Sequence, residues 1–212
     1  SYYLNYKDNV AEFIKRAGYN HKYEIIPSAN TDRVIDFISS NNVDYILTIS
    51  FGEILKSEFI QASSGRILNF HPGMLPENQG ADPIASVILN RIEKTGLSIH
   101  FIDEAIDTGA LLLTDNFRVQ HPVSYAMLEL KLGLLGRKML PGLMEILKST
   151  ESPEGVPQDK TKAKYYPKPK MAEGLLDFEL SAEEIQATIN VFALSAAPAH
   201  FKFQDHTIYV KN

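Results

Sequence analysis

Residues 66–73 read RILNFHPG, and this short stretch carries much of the information about the fold. Its first five residues are typical of a strand that is covered on both faces, and Pro72-Gly73 then turns the chain. Side chains two positions apart in a strand lie on the same face, so Asn69 and His71 project together. The stretch therefore predicts a buried strand with a polar pair at its carboxyl end.

Further strands and helices alternate on either side of this stretch. We predict strands over residues 43–50 (VDYILTIS) and 97–102 (LSIHFI), and helices over residues 31–39, 53–62 and 82–91. Asp82 and Pro83 supply the N-cap and the first-turn proline of the last of these helices. Alternation of this kind predicts an α/β fold with a mostly parallel, Rossmann-like sheet.

The rest of the chain gives weaker elements. At the N-terminus we predict a helix over residues 9–17 and a strand over residues 23–27. Later elements are short strands at residues 110–113 and 117–119, a helix from Ser124 that Pro141 ends, a helix that Ser181 caps, and a hairpin over residues 201–210. From these elements we predict a catalytic domain at residues 1–150, a linker at 151–170 and a helix-plus-hairpin extension at 171–212.

The linker is predicted from composition. Residues 149–170 hold four prolines and five lysines, which is typical of an extended, solvated segment. The whole chain of 212 residues has a net charge of −5 and no cysteine. These values exclude disulfides and thiolate catalysis and disfavour nucleic acid as a partner. With no run of 18 apolar residues, we expect a cytoplasmic protein without a membrane partner.

Three polar residues suit acyl transfer to an amine. Asp107 lies in the loop DEAIDTG after the strand at residues 97–102, and a parallel neighbouring strand would bring it to the same sheet edge as Asn69 and His71. An asparagine amide and a protonated histidine can stabilise a tetrahedral oxyanion. A histidine held by a carboxylate can also move a proton near neutral pH.

Two other interpretations of these residues stay open. Asn-x-His at a strand end and Asp-Thr-Gly are also ordinary turns with satisfied polar groups. A metal site made of His71, His100, Asp103 and Asp107 is a further alternative, although no HExxH or comparable ligand spacing supports it. We expect no metal.

Residues 68–83 (LNFHPGMLPENQGADP) and 96–113 (GLSIHFIDEAIDTGALLL) resemble the signature of the folate-dependent formyltransferases, the family of methionyl-tRNA, amino-sugar and glycinamide ribonucleotide formyltransferases. The resemblance implies that Asn69, His71 and Asp107 are catalytic and that 10-formyltetrahydrofolate is the formyl donor. It also implies a pterin site at Phe51, Gly52, Glu53, Ile54, Leu55, Asp103, Glu104 and Ile106. An acceptor site is implied at Gly73, Met74, Leu75, Pro76 and Gln79.

The chain departs from the family pattern in two places. Almost nothing precedes the region that matches Asn9, so we expect either a shortened chain or an N-terminal βαβ unit that is missing or reduced. We expect residues 2–6, a partner chain or residues before Ser1 to cover the edge of the strand at residues 43–50. Gln79 stands where relatives often carry an arginine. The resemblance therefore leaves the acceptor open.

We expect a small amine as acceptor, such as a nucleotide-linked amino sugar or a modified amino acid. The alternatives are methionyl-tRNA, hydrolysis of the formyl-folate, and a non-catalytic folate-binding relative. The sequence does not fix the oligomeric state.

Overall fold

The computed structural model describes residues 26–150, 152–193 and 198–210. The expected elements at residues 2–6 and 9–17, and most of the strand expected at 23–27, lie outside this part of the chain. The described helices are α1 (Asp32–Ser40), α2 (Ser57–Ala62), α3 (Pro83–Leu89), α4 (Tyr125–Ser149) and α5 (Ala182–Phe192). The strands are β1 (Ile46–Ile49), β2 (Ile67–His71), β3 (Lys94–Phe101), β4 (Leu111–Arg118), β5 (His200–Phe203) and β6 (His206–Tyr209).

Strands β1 to β4 form one sheet in the order β1-β2-β3-β4. The pair β1–β2 is parallel, with Thr48 beside Asn69 and Ile49 beside Phe70. The predicted α/β fold is thus confirmed, and the carboxyl ends of β1 and β2 meet at one edge of the sheet.

Strand β3 runs antiparallel to β2, and the expectation that a parallel strand brings in Asp107 is wrong. Helix α3 has seven residues and a length of about 10 Å, too short to carry the chain back along the sheet. Strand β3 therefore starts near the end of β2, with Ser98 paired to His71, and ends beside the start of β2, with Phe101 paired to Leu68. The loop that follows has to fold back to return Asp107 to the site.

Helices α1, α3 and α5 confirm the predictions, and Ser181 caps α5 through the predicted capping box with Glu184. Helix α2 starts later than predicted, because the side chain of Asn30 accepts from Lys56 N and donates to Ile54 O, both at 2.8 Å, and so holds the preceding residues in an irregular path.

Two predicted breaks are wrong. Helix α4 continues through Pro141 to Ser149, because fully buried Leu143 and partly buried Leu147 extend its contact with the sheet. The strands predicted on either side of residues 114–116 are one strand, β4. Its polar residues Thr114 and Asn116 fall at alternate, exposed positions, as in a strand with one solvated face.

Two core clusters, both of which include residues of α4, link the sheet to the C-terminal helix. Leu68, Ile99 and Leu143 pack between the sheet and α4. Nearer the start of α4, on the same face, Leu132 packs with Val87 of α3 and Ala187 of α5. Asn190 of α5 also donates to the carbonyl of Val123. Helix α5 therefore belongs to the same packed body as the sheet.

The segment between α4 and α5 contacts the sheet along part of its length. Val156 exchanges two backbone hydrogen bonds with Leu111 of β4, at 2.7 and 2.8 Å. Gln79 exchanges backbone bonds with Lys164 and Tyr166. We call residues 156–166 the strap. The sequence predicted a solvated linker here from its prolines and lysines. Composition does not show which backbone groups elsewhere in the chain the segment pairs with.

Strands β5 and β6 form the predicted C-terminal hairpin, which turns at Gln204 with a φ of 51°. The helices within the described residues lack the combination of length and apolarity that crossing a bilayer requires.

The packing on α4 can be tested with two leucines of the same helix. Leu132 is 3% exposed and Leu130 is 57% exposed. We expect Leu132→Ala to lower the free energy of unfolding by about 2 to 5 kcal/mol, since it leaves a cavity, and Leu130→Ala by less than about 1 kcal/mol. Urea unfolding of both variants measures the difference. Equal losses would contradict the assignment of the buried face.

Candidate active site

The amide of Asn69 has a fixed orientation. Strand pairing sets Asn69 opposite His100, and the Asn69 Nδ2 atom lies 3.2 Å from His100 Nε2. His100 Nδ1 lies 2.7 Å from the carbonyl of Phe101, so Nδ1 carries the hydrogen and Nε2 accepts. The hydroxyl of Thr48 donates to Asn69 Oδ1 at 2.9 Å. An amide nitrogen has two hydrogens, so Asn69 keeps one to donate to a ligand.

His71 lies between two acceptors. Its Nε2 atom is 2.7 Å from the carbonyl of Asn78, to which it donates. Its Nδ1 atom is 3.4 Å from Asp107 Oδ1. A proton on Nδ1 turns that contact into an ion pair, whereas a lone pair there would face another acceptor. The side chain of His71 is 3% exposed, so this contact is shielded from bulk water.

The carboxylate of Asp107 lies near both histidines. Its Oδ1 atom lies 3.4 Å from His71 Nδ1 and 3.6 Å from His100 Nε2, and its Oδ2 atom accepts from the backbone N–H of Gly80 at 2.9 Å. The side chain of Asp107 is 12% exposed, so a ligand that reaches this edge meets Asp107 before the two rings. The predicted catalytic residues Asn69, His71 and Asp107 therefore do lie together, with His100 among them.

The pKa of two of these groups is shifted. Burial lowers the pKa of His100, and the neighbouring His71 lowers it further, so the ring is neutral near pH 7 and suited to accept from Asn69. Burial alone would raise the pKa of Asp107. The hydrogen bond and charge of His71 and the N–H of Gly80 outweigh it, so the pKa of Asp107 lies below its ordinary value. The carboxylate is therefore ionised at neutral pH.

Three ligand atoms in this cluster lie close enough to share a metal ion. One atom each from His71, His100 and Asp107 falls within 4.8 Å of the others. Asp103, the fourth residue of the metal alternative, points elsewhere, since its carboxylate accepts from the hydroxyl of Thr108 at 2.7 Å. His100 also accepts from Asn69, and Asp107 accepts from the N–H of Gly80. The same arrangement is consistent with proton transfer without a metal.

The loop predicted to bind the acceptor forms one wall of the site. Ser98 of β3 donates to the carbonyl of Gly73 and accepts from the N–H of Leu75, at 2.7 and 3.1 Å. Pro76 is buried and Met74 is partly buried. Gln79, also buried, donates from its amide to the carbonyl of Asp107 at 3.1 Å. Gln79 therefore supports the loop that carries Asp107, and its role toward an acceptor stays a prediction.

The predicted pterin segment follows β1 and lies at the sheet edge where β2 ends. Phe51, Ile54 and Ile106 expose 42%, 73% and 45% of their surface, while Leu55 is buried in a cluster that also includes Ile102. That cluster joins the segment to the start of the loop at residues 102–110. Gly52 and Glu104 are exposed, as is Asp103.

Glu53 has a structural partner set of its own. Its carboxylate accepts from the hydroxyl of Ser28, from Ala29 N at 2.9 Å and from Asn30 Nδ2 at 2.8 Å. The hydrogen bond from Ser28 is the main reason that the pKa of Glu53 is lowered. Glu53 therefore anchors the segment to residues 28–30, while its apolar neighbours Phe51 and Ile54 are exposed to solvent.

Sequence reasoning missed the residues that position the site. Thr48 and Gly80 contact Asn69 and Asp107, Asn78 holds His71, and Gln158 of the strap donates to the carbonyl of Asp107. The glycine of Asn-Gln-Gly at residues 78–80 was a signal of close backbone approach: Gly80 has a φ of 130°, and a Cβ there would lie 1.9 Å from the carbonyl oxygen of Tyr166.

Comparison with known proteins identifies relatives of this chain. The model of the family described as Formyl transferase matches residues 7–143. A methionyl-tRNA formyltransferase from Methylacidiphilum infernorum (isolate V4) is 30% identical over 191 residues, which cover 88% of this chain and 58% of that protein. The chain thus spans little more than half the length of this curated relative.

Solved structures share the fold. Methionyl-tRNA formyltransferase from Clostridium thermocellum superposes with a TM-score of 0.75 at 21% identity and covers 97% of this chain and 86% of its own. The formyltransferase PseJ from Anoxybacillus kamchatkensis, in complex with UDP-4,6-dideoxy-4-formamido-L-AltNAc and tetrahydrofolate, gives 0.57 at 22% identity, over 69% of this chain and 73% of its own. At these identities the likeness concerns the fold.

The lowered pKa of Asp107 predicts a pH effect on stability. The ionised carboxylate stabilises the fold above the ordinary aspartate pKa of about 3.9, and this contribution is lost as the pH falls through the lower folded value. Between about pH 5 and pH 2, the free energy of unfolding should therefore fall more steeply for the wild type than for Asp107→Asn. Urea unfolding at several pH values measures both slopes.

Asp44→Asn, the same change at an exposed position, is the control. If the wild type and Asp107→Asn lose stability in parallel on acidification, the ion pair with His71 is not formed as described.

Proposed function

This chain belongs to the formyl transferase family, and we propose that it transfers a formyl group from 10-formyltetrahydrofolate to the amino group of an acceptor. The observation that carries this proposal is that His71 and His100 both lie against the partly exposed carboxylate of Asp107, and that the amide of Asn69 contacts His100. An amide donor, a proton carrier and its counterion are the groups that acyl transfer between two nitrogens needs.

The first step forms a bond between the acceptor nitrogen and the formyl carbon. The carbonyl electrons move onto oxygen, and Asn69 donates its second amide hydrogen to that oxyanion. The donor is effective because Thr48 and His100 fix the amide before the substrate arrives, so little reorganisation accompanies the reaction.

The second step breaks the bond between the formyl carbon and N10 of the folate. N10 needs a proton to leave, and the acceptor nitrogen has one to lose. His71, with Asp107 as counterion, passes a proton from one nitrogen to the other. The products are a formamide and tetrahydrofolate, and the enzyme returns to its starting protonation state.

The folate is proposed to lie between residues 51–55 and 103–107. Exposed Phe51, Ile54 and Ile106 supply apolar surface for a flat ring. Leu55 and Glu53 hold the first segment in place from the protein side. The relative PseJ, solved with tetrahydrofolate, supports this choice of ligand.

Two kinds of acceptor are proposed. A small amine, such as a nucleotide-linked amino sugar, agrees with the net charge of −5 and with the complex reported for PseJ. Methionyl-tRNA is favoured by the sequence similarity to the Methylacidiphilum infernorum protein. Both carry phosphates, and the exposed Lys160, Lys162 and Lys164 lie on the strap beside the loop at residues 76–80.

The reaction is tested by incubating the protein with 10-formyltetrahydrofolate alone, with a nucleotide-linked amino sugar, and with methionyl-tRNA. Release of tetrahydrofolate that depends on one acceptor identifies a transferase and its substrate class. Release without any amine identifies a hydrolase, and folate binding without release identifies a non-catalytic relative. Either of the last two results would overturn the proposal.

We expect His71→Ala and Asp107→Asn each to lower turnover by at least about a hundredfold, because each removes a part of the proton path. His121→Ala is the matched control, since His121 bonds only the carbonyl of Ile92 among the contacts of the described residues. Circular dichroism establishes that the variants are folded. Near-normal turnover of His71→Ala would refute the mechanism.

Folate binding should protect two separate segments from hydrogen exchange. We expect slower exchange in residues 51–55 and 103–107 when a reduced folate saturates the protein, because the ligand covers both segments. Mass spectrometry of peptides from each segment measures the change, and α5 serves as the internal control. Protection confined to other regions would place the folate elsewhere.

A further inference from the structure

Gln158 of the strap reaches the loop that carries Asp107. Its Nε2 atom donates to the carbonyl of Asp107 at 2.8 Å and to the carbonyl of Gly109 at 2.7 Å. Gln79 adds a second donor to the Asp107 carbonyl at 3.1 Å and also contacts Gln158 Oε1 at 3.4 Å. Two amide side chains from distant parts of the chain thus meet at the backbone of one residue.

The backbone of Asp107 needs such support. Its φ is 56°, in the left-handed region, where a residue other than glycine is strained. The next fixed point of the loop is Gly109, where a Cβ would come 1.9 Å from the carbonyl oxygen of Phe101. Gln158 spans these two positions, so its hydrogen bonds hold the turn in the conformation that returns Asp107 to His71.

The chemistry of the contact selects a primary amide. Carbonyl oxygens only accept, so the group between those of Asp107 and Gly109 has to offer two N–H donors in one place. A glutamate would present an anionic oxygen to both carbonyls. A methionine would fill a similar volume without any donor. The orientation of the Gln158 amide follows from its two acceptors.

We infer that Gln158 is a positioning residue, which holds the turn at residues 107–109 so that the Asp107 carboxylate stays against His71. The inference rests on the proposed function only in so far as Asp107 takes part in turnover. Gln158 itself touches neither His71 nor Asn69 in the contacts that the structure describes, so it acts through the loop.

The strap has an attachment that does not depend on this side chain. Val156 exchanges two backbone hydrogen bonds with Leu111, and Lys164 and Tyr166 pair with Gln79 by backbone alone. Replacing the Gln158 side chain therefore leaves the strap in place. The variants Gln158→Met and Gln158→Glu should fold and differ from the wild type mainly in the freedom of the loop.

The first test measures turnover and affinity together. We expect Gln158→Met to lower kcat by about tenfold or more, while the KM for the folate changes little, because a small displacement of a reacting group is costly. Gln158→Glu should lower kcat further. Gln186→Met and Gln186→Glu, the same changes at an exposed position of α5, should leave both constants unchanged. Unchanged kcat in both Gln158 variants, beside an active wild type, would overturn the inference.

The second test does not use activity. The ¹³C shift of the Asp107 carboxyl carbon, followed against pH, reports its pKa directly. We expect this pKa to rise in Gln158→Met, since the carboxylate moves away from His71 and Gly80 while remaining partly buried. The same titration curve in the variant and the wild type would refute the positioning role, even if the protein proves to have another function.

The third test is a double-mutant comparison. If Gln158 acts through Asp107, adding Gln158→Met to Asp107→Asn leaves the residual single-turnover rate unchanged. Independent, multiplying losses would assign Gln158 a different role. An inactive wild type, by contrast, would refute the proposed function and leave the titration to decide on Gln158.

Discussion

The carboxylate of Asp107 has to stay beside two buried imidazole rings while its own backbone lies in the left-handed region. Much of the surrounding structure serves this constraint. Strand β3 ends beside the start of β2, away from His71, so the loop at residues 102–110 has to fold back to the site. The turn is then fixed through its carbonyls by Gln79 and Gln158, and its carboxylate is fixed by Gly80.

A chain of hydrogen bonds between polar groups fixes the orientation of the Asn69 amide. It runs from the Phe101 carbonyl through His100 to the Asn69 amide and ends at the hydroxyl of Thr48. Each donor in this chain of hydrogen bonds meets an acceptor, so burying these polar groups costs little free energy. The low pKa of His100 belongs to this arrangement, because a charged ring would need to donate where it now accepts.

Local signals in the sequence were sufficient for part of the fold and the site. Side chains alternate between the two faces of a strand, which placed Asn69 and His71 on one face. The N-caps Asp82 and Ser181 located the starts of α3 and α5. The same signals failed where distant contacts decide. The apolar side of α4 carries that helix past Pro141, and the hydrogen bonds of Asn30 delay the start of α2.

The supporting residues were out of reach for the same reason. Gln158 lies 51 positions from Asp107 and has no periodic or motif context, so its partner appears only when the strap is folded onto β4. The direction of β3 depended on the length of α3, which was predicted two residues too long at its end. The three proposed catalytic residues could be found because the resemblance named them; the residues that hold them could not.

The strap also changes where the working unit of this protein ends. The family match stops at residue 143, and the last helix of the sheet layer ends at Ser149. A protein engineer who cut the chain there would keep every proposed catalytic residue and most of the buried apolar side chains around the sheet. The excised fragment would nevertheless lack the backbone partners of Leu111 and Gln79 and both donors of Gln158. The end of the family match at residue 143 and the end of a competent module therefore differ by at least 23 residues, and modular dissection or domain grafting should keep both the strap and helix α5, which packs against Leu132.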